Sequence, residues 1–196
     1  MGRSARLVFI AKSARTFCYG ALGVLLPVYL SELGLAAGQL GVAVTLTLLA
    51  STAMTFTIRW PAERWGPQAA LMAQAGLIVV SAAVFLLTRQ PWVVVAAAMA
   101  GNLAVGTGET GPFLSLEQVI VTRDTPRERL TTTLSWYNLT GYAAAGLGAA
   151  AVTRLGASHQ PLFALFLLSG VLQLVAYGLM PRDRPRRAAE RHAEGT

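Results

Sequence analysis

Four stretches of this chain run for 24 to 27 residues without an Asp, Glu, Lys or Arg: 33–58, 65–88, 130–153 and 155–181. Soluble domains do not leave runs of that length uncharged, because about a quarter of their residues carry charge. A helix that crosses a bilayer needs about 20 mostly apolar residues to cover a hydrocarbon core of about 30 Å. Each run therefore holds one crossing and a short connection. A fifth run, 90–108, is 19 residues long, and its apolar character continues past Glu109 to Val121. Before Glu32 only 16 residues separate it from Arg15, so the first crossing begins near Leu7 and carries Lys12 and Arg15 in its inner part. The expected fold is an all-α integral membrane protein, a six-transmembrane-helix bundle with spans over 7–30, 39–58, 69–87, 92–120, 131–154 and 161–180. A basic tail, 181–196, follows and is expected to be disordered. A charged fraction of 13% and a mean hydropathy of +0.52 agree with a chain that faces lipid.

The basic start, Arg3 and Arg6, is also that of a signal peptide. Lys12 breaks the apolar run and no small-x-small cleavage site follows, so the segment is read as a retained helix. Cys18 is the single cysteine and has no internal disulfide partner; it reads as a small buried apolar residue.

The net charge of +7 raises nucleic acid as a partner, but the placement of the basic residues argues against it. With the N-terminus in the cytoplasm and six crossings, 14 of the 16 Lys and Arg residues fall on the inner side, and only Arg89 and Arg154 fall outside. That asymmetry is what the positive-inside rule requires. The expected location is the cell (inner) membrane, multi-pass, with both termini cytoplasmic and the tail against lipid headgroups. Trp60, Trp65, Trp92 and Tyr177 lie near the span boundaries, as an aromatic belt places them.

Span four is unusually long and contains Gly101, Gly106, Gly108, Gly111 and Pro112, so a bend is expected near Gly111–Pro112. Span five repeats small residues at four-residue spacing, Gly141 with Ala145 and Ala149, and Ala144 with Gly148, a pattern for close helix packing or for a sliding surface.

Glu109 is the most informative single residue. A carboxylate inside a span costs several kcal/mol unless it is protonated, paired or hydrated. It marks a cavity, a proton site or an ion pair, or else a structural hydrogen bond between helices. Asn102 lies seven residues earlier, so one helix face is expected to carry both. Glu117 and Gln118 end the same span near Arg123, Arg127 and Arg129, an arrangement for an interfacial ion-pair network or a gate. On the first helix Lys12 is expected to snorkel to the interface. Arg15 is deeper and is expected to pair with Glu109 or to take an anionic substrate group, with Tyr19 one turn further on. Tyr137 and Asn138 open span five and are weaker candidates.

Enzyme classes find little support. The two histidines, His159 and His192, lie outside the spans, which excludes a His-ligated metal or haem inside the membrane. Asp124 and Asp183 fall in cytoplasmic segments, and no phosphate-cradling Gly-Lys-Ser/Thr loop is present. No cofactor is implied.

The inner turn reads Arg59-Trp60-Pro61-Ala62-Glu63-Arg64-Trp65-Gly66-Pro67-Gln68. It resembles the signature of the major facilitator superfamily, in which a Gly is followed by an acidic residue and Arg, one residue, a Gly and basic residues. Glu63, Arg64 and Gly66 match. Arg59 stands at the leading Gly, and Pro67 and Gln68 replace the basic pair. Residues 106–118, 126–129 and 136–138 look like the fourth helix, the loop and the start of the fifth helix of bacterial facilitator transporters. The resemblance covers about 17–180 and implies the amino-terminal six-helix half of such a transporter, built as two three-helix repeats. It further implies secondary active transport of a small molecule by alternating access, with the proton as a candidate coupling ion and a second half or a homodimer as partner. On the resemblance Arg15, Tyr19, Asn102 and Glu109 would line the substrate and proton pathway. Glu63, Arg64, Gly66, Glu117, Arg127 and Arg129 would form the cytoplasmic gate. Asn102 stands where many proton-coupled exporters carry Arg, and the Gly-Pro antiporter motif of the fifth helix is absent. The other reading is a non-transporting six-helix membrane protein, either an assembly partner or a truncated half.

Overall fold

A computed structural model describes residues 2–103, 111–155 and 159–181. Every regular element among them is helical: α1 (Arg3–Glu32), α2 (Ala37–Thr57), α3 (Arg59–Trp65), α4 (Pro67–Leu87), α5 (Pro91–Ala100), α6 (Pro112–Arg123), α7 (Leu130–Leu155) and α8 (Gln160–Gly178), with a 3₁₀ turn at Arg127–Arg129. Four are long and apolar enough to cross a membrane: α1, α2 together with α3, α4, and α8.

Helix α1 is the axis of the bundle. Its buried residues recur at helical spacing, Val8, Ala11, Lys12, Arg15, Cys18, Leu22, Leu25 and Tyr29, and they form one stripe. That stripe meets α7 along most of its length, and α8 beside it; α4 packs on the other side of α8. The α1–α7 crossing is close because small residues interlock. A Cβ on Gly20 would collide with the Ala145 carbonyl, and one on Gly148 with the Phe17 carbonyl.

The inner turn between α2 and α4 contains α3, a short helix where the sequence suggested a plain turn. Gly66 links α3 to α4 at φ 90°, ψ 160°, a conformation open to glycine and strained for other residues. This is the physical use of the signature glycine.

Span four departs from the expected single helix over 92–120. Helix α5 stops at Ala100, and α6 starts only at Pro112. Gly101–Leu103 are non-helical, Asn102 has φ 55° and Gly111 has φ 130°. Asn is among the few non-glycine residues that enter the left-handed region readily, and Pro pre-sets the first turn of a helix. Glycine carries a helix-interior cost of about 1 kcal/mol, and α5 gives way at Gly101, ahead of the bend expected near Gly111–Pro112.

Contacts between chain-distant residues sort the helix ends. The Ala5 amide donates to Asp124 (3.1 Å), tying the start of α1 to the end of α6. The Gln68 side-chain amide donates to the carbonyls of Tyr177 (2.7 Å) and Met180 (3.0 Å), so the start of α4 caps the end of α8. At the opposite end His159 Nε2 and Glu32 lie 2.6 Å apart, joining α8 to α1. The Gln68 contacts give a direct prediction. Gln68→Ala orphans two helix-end carbonyls and is expected to cost about 1–2 kcal/mol. Gln68→Arg, which restores donors, recovers most of it. Thermal unfolding of the purified protein checks both.

Candidate functional site

The chemistry of the bundle concentrates where α1, α6, α7 and α8 meet. On α6 the buried residues are Pro112, Phe113, Leu116, Glu117, Ile120 and Val121, so Glu117 occupies an apolar-stripe position facing α1. Arg15 and Glu117 are both 0% exposed. Their contact is bidentate: Nη1 donates to Oε1 (2.8 Å) and Nη2 to Oε2 (2.9 Å). Tyr137 on α7 donates to Oε2 (2.7 Å), and the Tyr177 hydroxyl on α8 donates to Oε1. Arg15 also donates to the Tyr177 oxygen (3.0 Å), with Gln173 Oε1 at 3.5 Å. The guanidinium lies 4.2 Å from the centre of the Phe113 ring. Lys12 is buried one turn below, its Nζ 3.3 Å from the centre of the Tyr137 ring. Two ions removed from water cost several kcal/mol each, which only close geometry and added hydrogen bonds offset. The two tyrosines supply those bonds.

The structure rearranges the expected sites. Arg15 pairs with Glu117. Glu109 lies outside the described residues, so its place beside Arg15 is untested. Asn102 is non-helical, which removes the helix-face argument linking it to Glu109. It is buried instead beside Gly111 and Ser51, since a Cβ on Gly111 would meet the Asn102 amide nitrogen at 2.8 Å and the Ser51 hydroxyl at 3.3 Å. Tyr19 donates to the Gly101 carbonyl (2.8 Å) and so braces the broken end of α5. Lys12 does not snorkel to the interface; it is enclosed. Glu117 is not part of an interfacial network with Arg123, Arg127 and Arg129, because it is fully buried while those three are exposed. Glu63 and Arg64 lie exposed on α3, with Arg64 5.4 Å and 5.9 Å from the Trp60 and Trp65 rings. Tyr177 and Gln173 were missed as partners. Their signal was the stripe Phe166, Gly170, Gln173 and Tyr177 on α8, in which two polar residues occupy core positions.

The outer faces of the helices differ in kind. On α4 the exposed residues are Met72, Ala73, Leu77, Val80, Leu86 and Leu87, all apolar. Beyond its first residue α8 also exposes only apolar side chains and glycine. Helices α2 and α7 mix in polar groups: Thr45, Thr52 and Thr57 on α2, and Ser135, Asn138 and Tyr142 on α7. Tyr142 is 66% exposed and lies twelve residues along the 26-residue α7, about 18 Å from its start.

A helical bundle with four helices long and apolar enough to cross a bilayer, apolar outer faces on α4 and α8 and a paired charge in its interior is an integral membrane protein. Residues 8–196 match the Major Facilitator Superfamily model, and the chain belongs to that family of membrane transporters. It is also 22% identical over 147 residues to the uncharacterized membrane protein YJR124C of Saccharomyces cerevisiae, across 75% of this chain. The chain spans about a third of the length of that relative, 33%.

Proposed function

We propose that the chain is one six-helix half of an alternating-access transporter for a small molecule. In this reading α5 and α6 together make one interrupted crossing, and α7 makes another. The observation that carries it is the contrast between outer faces. Apolar α4 and α8 suit lipid, whereas an exposed Asn138 and a mid-helix Tyr142 are costly against hydrocarbon and suit a hydrated cavity or a partner helix. The partner is a second half: another copy, a separately encoded half, or further residues of the same polypeptide. The charge asymmetry of the sequence supports cytoplasmic termini in the inner membrane.

The Arg15–Glu117 cluster takes a different role from the one first expected. It is enclosed by this chain's own helices, so it braces α1, α6, α7 and α8 as one rigid body that can rock as a unit. Asn138 and Tyr142 replace Arg15 as the substrate-facing residues. Glu109 stays the candidate proton carrier, and Glu63, Arg64 and Gly66 with Arg127 and Arg129 the candidate cytoplasmic gate. Asn138→Ala and Tyr142→Phe are expected to lower flux in proteoliposomes about tenfold each while leaving thermal stability within about 0.5 kcal/mol, the usual range for exposed positions. Wild-type flux in both variants would remove α7 from the pathway. A complete absence of flux from the wild type, alone and with its partner, would leave the non-transporting reading.

A further inference from the structure

A cleft of about 1160 Å³ opens at the bundle end opposite the N-terminus, between the end of α1, the end of α4 and the start of α8. Its lining brings together Glu32, Arg89 and His159 above Tyr29, Phe85 and Phe163. One wall continues into the apolar outer face of α4: Leu86 and Leu87 line it, and Leu87 is 86% exposed. The cleft is therefore polar at the bundle end and open to lipid along its side.

We propose that this cleft holds the headgroup of a zwitterionic aminophospholipid, one that carries a primary ammonium and a phosphate. The Glu32 carboxylate takes the ammonium. One of its oxygens meets His159 at 2.6 Å, and a carboxylate has about four lone-pair sites, enough for a second donor. The C-terminal carbonyls of α1 and α4 face the same end and favour a cation. The exposed Arg89 guanidinium takes the phosphate, beside the positive N-terminal end of the 19-residue α8. The acyl chains run down past Leu86 and Leu87 along α4. A headgroup with a phosphate but no cation gives the second Glu32 oxygen no donor, and a quaternary ammonium has no N–H to offer it.

Native mass spectrometry of the purified full chain, with matched-chain phosphatidylethanolamine, phosphatidylcholine and phosphatidylglycerol, tests this. Phosphatidylethanolamine is expected to be retained about tenfold better than either competitor. Glu32→Gln is expected to erase the preference over phosphatidylcholine, and Arg89→Gln to weaken all three. Ala164→Trp, which fills the cleft from α8, is expected to abolish retention if the charge variants fold poorly. Equal retention of the three lipids, or an unchanged preference in folded Glu32→Gln, would overturn the proposal. So would full competition by glycerophosphoethanolamine without acyl chains, which would make the ligand a soluble zwitterion.

Discussion

Replacing Arg15 by Met is expected to destabilise the protein by about 3–5 kcal/mol, because it takes the bidentate partner from the buried Glu117 carboxylate. Nothing nearby can rotate to water: both side chains are 0% exposed, and the carboxylate is held by Tyr137 and Tyr177 from two further helices. In a thermal melt this corresponds to a fall on the order of ten degrees. Glu117→Gln alone is expected to cost a similar amount, since it leaves the Arg15 guanidinium buried without its carboxylate and a guanidinium cannot shed its charge. The double variant Arg15→Met, Glu117→Gln is expected to be more stable than Arg15→Met alone, with no buried ion left unpaired. The cycle of four proteins isolates the pair, and a coupling near zero would mean that the bidentate contact contributes little. Because the pair lies inside the bundle and not on its rim, the loss should appear in folded yield and melting temperature.

Gly148→Leu is expected to give no folded protein, with Gly20→Leu behaving the same way. Each added side chain would start inside a backbone carbonyl of the facing helix, Phe17 for Gly148 and Ala145 for Gly20. Backbone cannot rotate away as a flexible side chain can, so α1 and α7 would have to separate along their whole contact. Even Gly148→Ala should be strongly destabilising. The control is two residues away: a Cβ on Gly146 meets nothing within 4 Å, and Gly146→Ala should be neutral or slightly stabilising. Comparing the monodisperse fraction after purification of the two alanine variants checks the argument. Equal recovery would mean that the crossing is looser than the interlocked glycines imply.

Much of the architecture was legible along the chain. The uncharged runs 33–58, 65–88 and 155–181 fall on α2, α4 and α8, three of the four helices long and apolar enough to cross a membrane, since burial in lipid is a property of composition over about 20 residues. The small residues of span five announced a close crossing, and Ala145 and Gly148 lie in it. The cluster of glycines ahead of Pro112 announced an interruption, although it begins at Gly101, ten residues before the expected bend. That start was hidden because Val94, Val95, Ala97 and Ala98 read as uninterrupted helix, and only Asn102 adopting φ 55° reveals the stop.

The candidate site was less legible, for a reason that lies in geometry. Helical periodicity says which face a residue occupies, so the core placement of Lys12 and Arg15, in register with Val8, Cys18 and Leu22, was open to reading. It does not say which helix lies opposite. Glu109 and Glu117 are both chemically suitable for Arg15, and the arginines that follow Glu117 closely in sequence offered it nearer partners. The chosen partner is 102 residues away, and two tyrosines from separate helices complete it. Sequence alone therefore determined that this chain is a membrane bundle of the facilitator type and which of its residues are expensive to bury. Only the packing of α1 against α6, α7 and α8 decided how that expense is met, because ion pairing depends on distances of about 3 Å between elements that no local rule brings together.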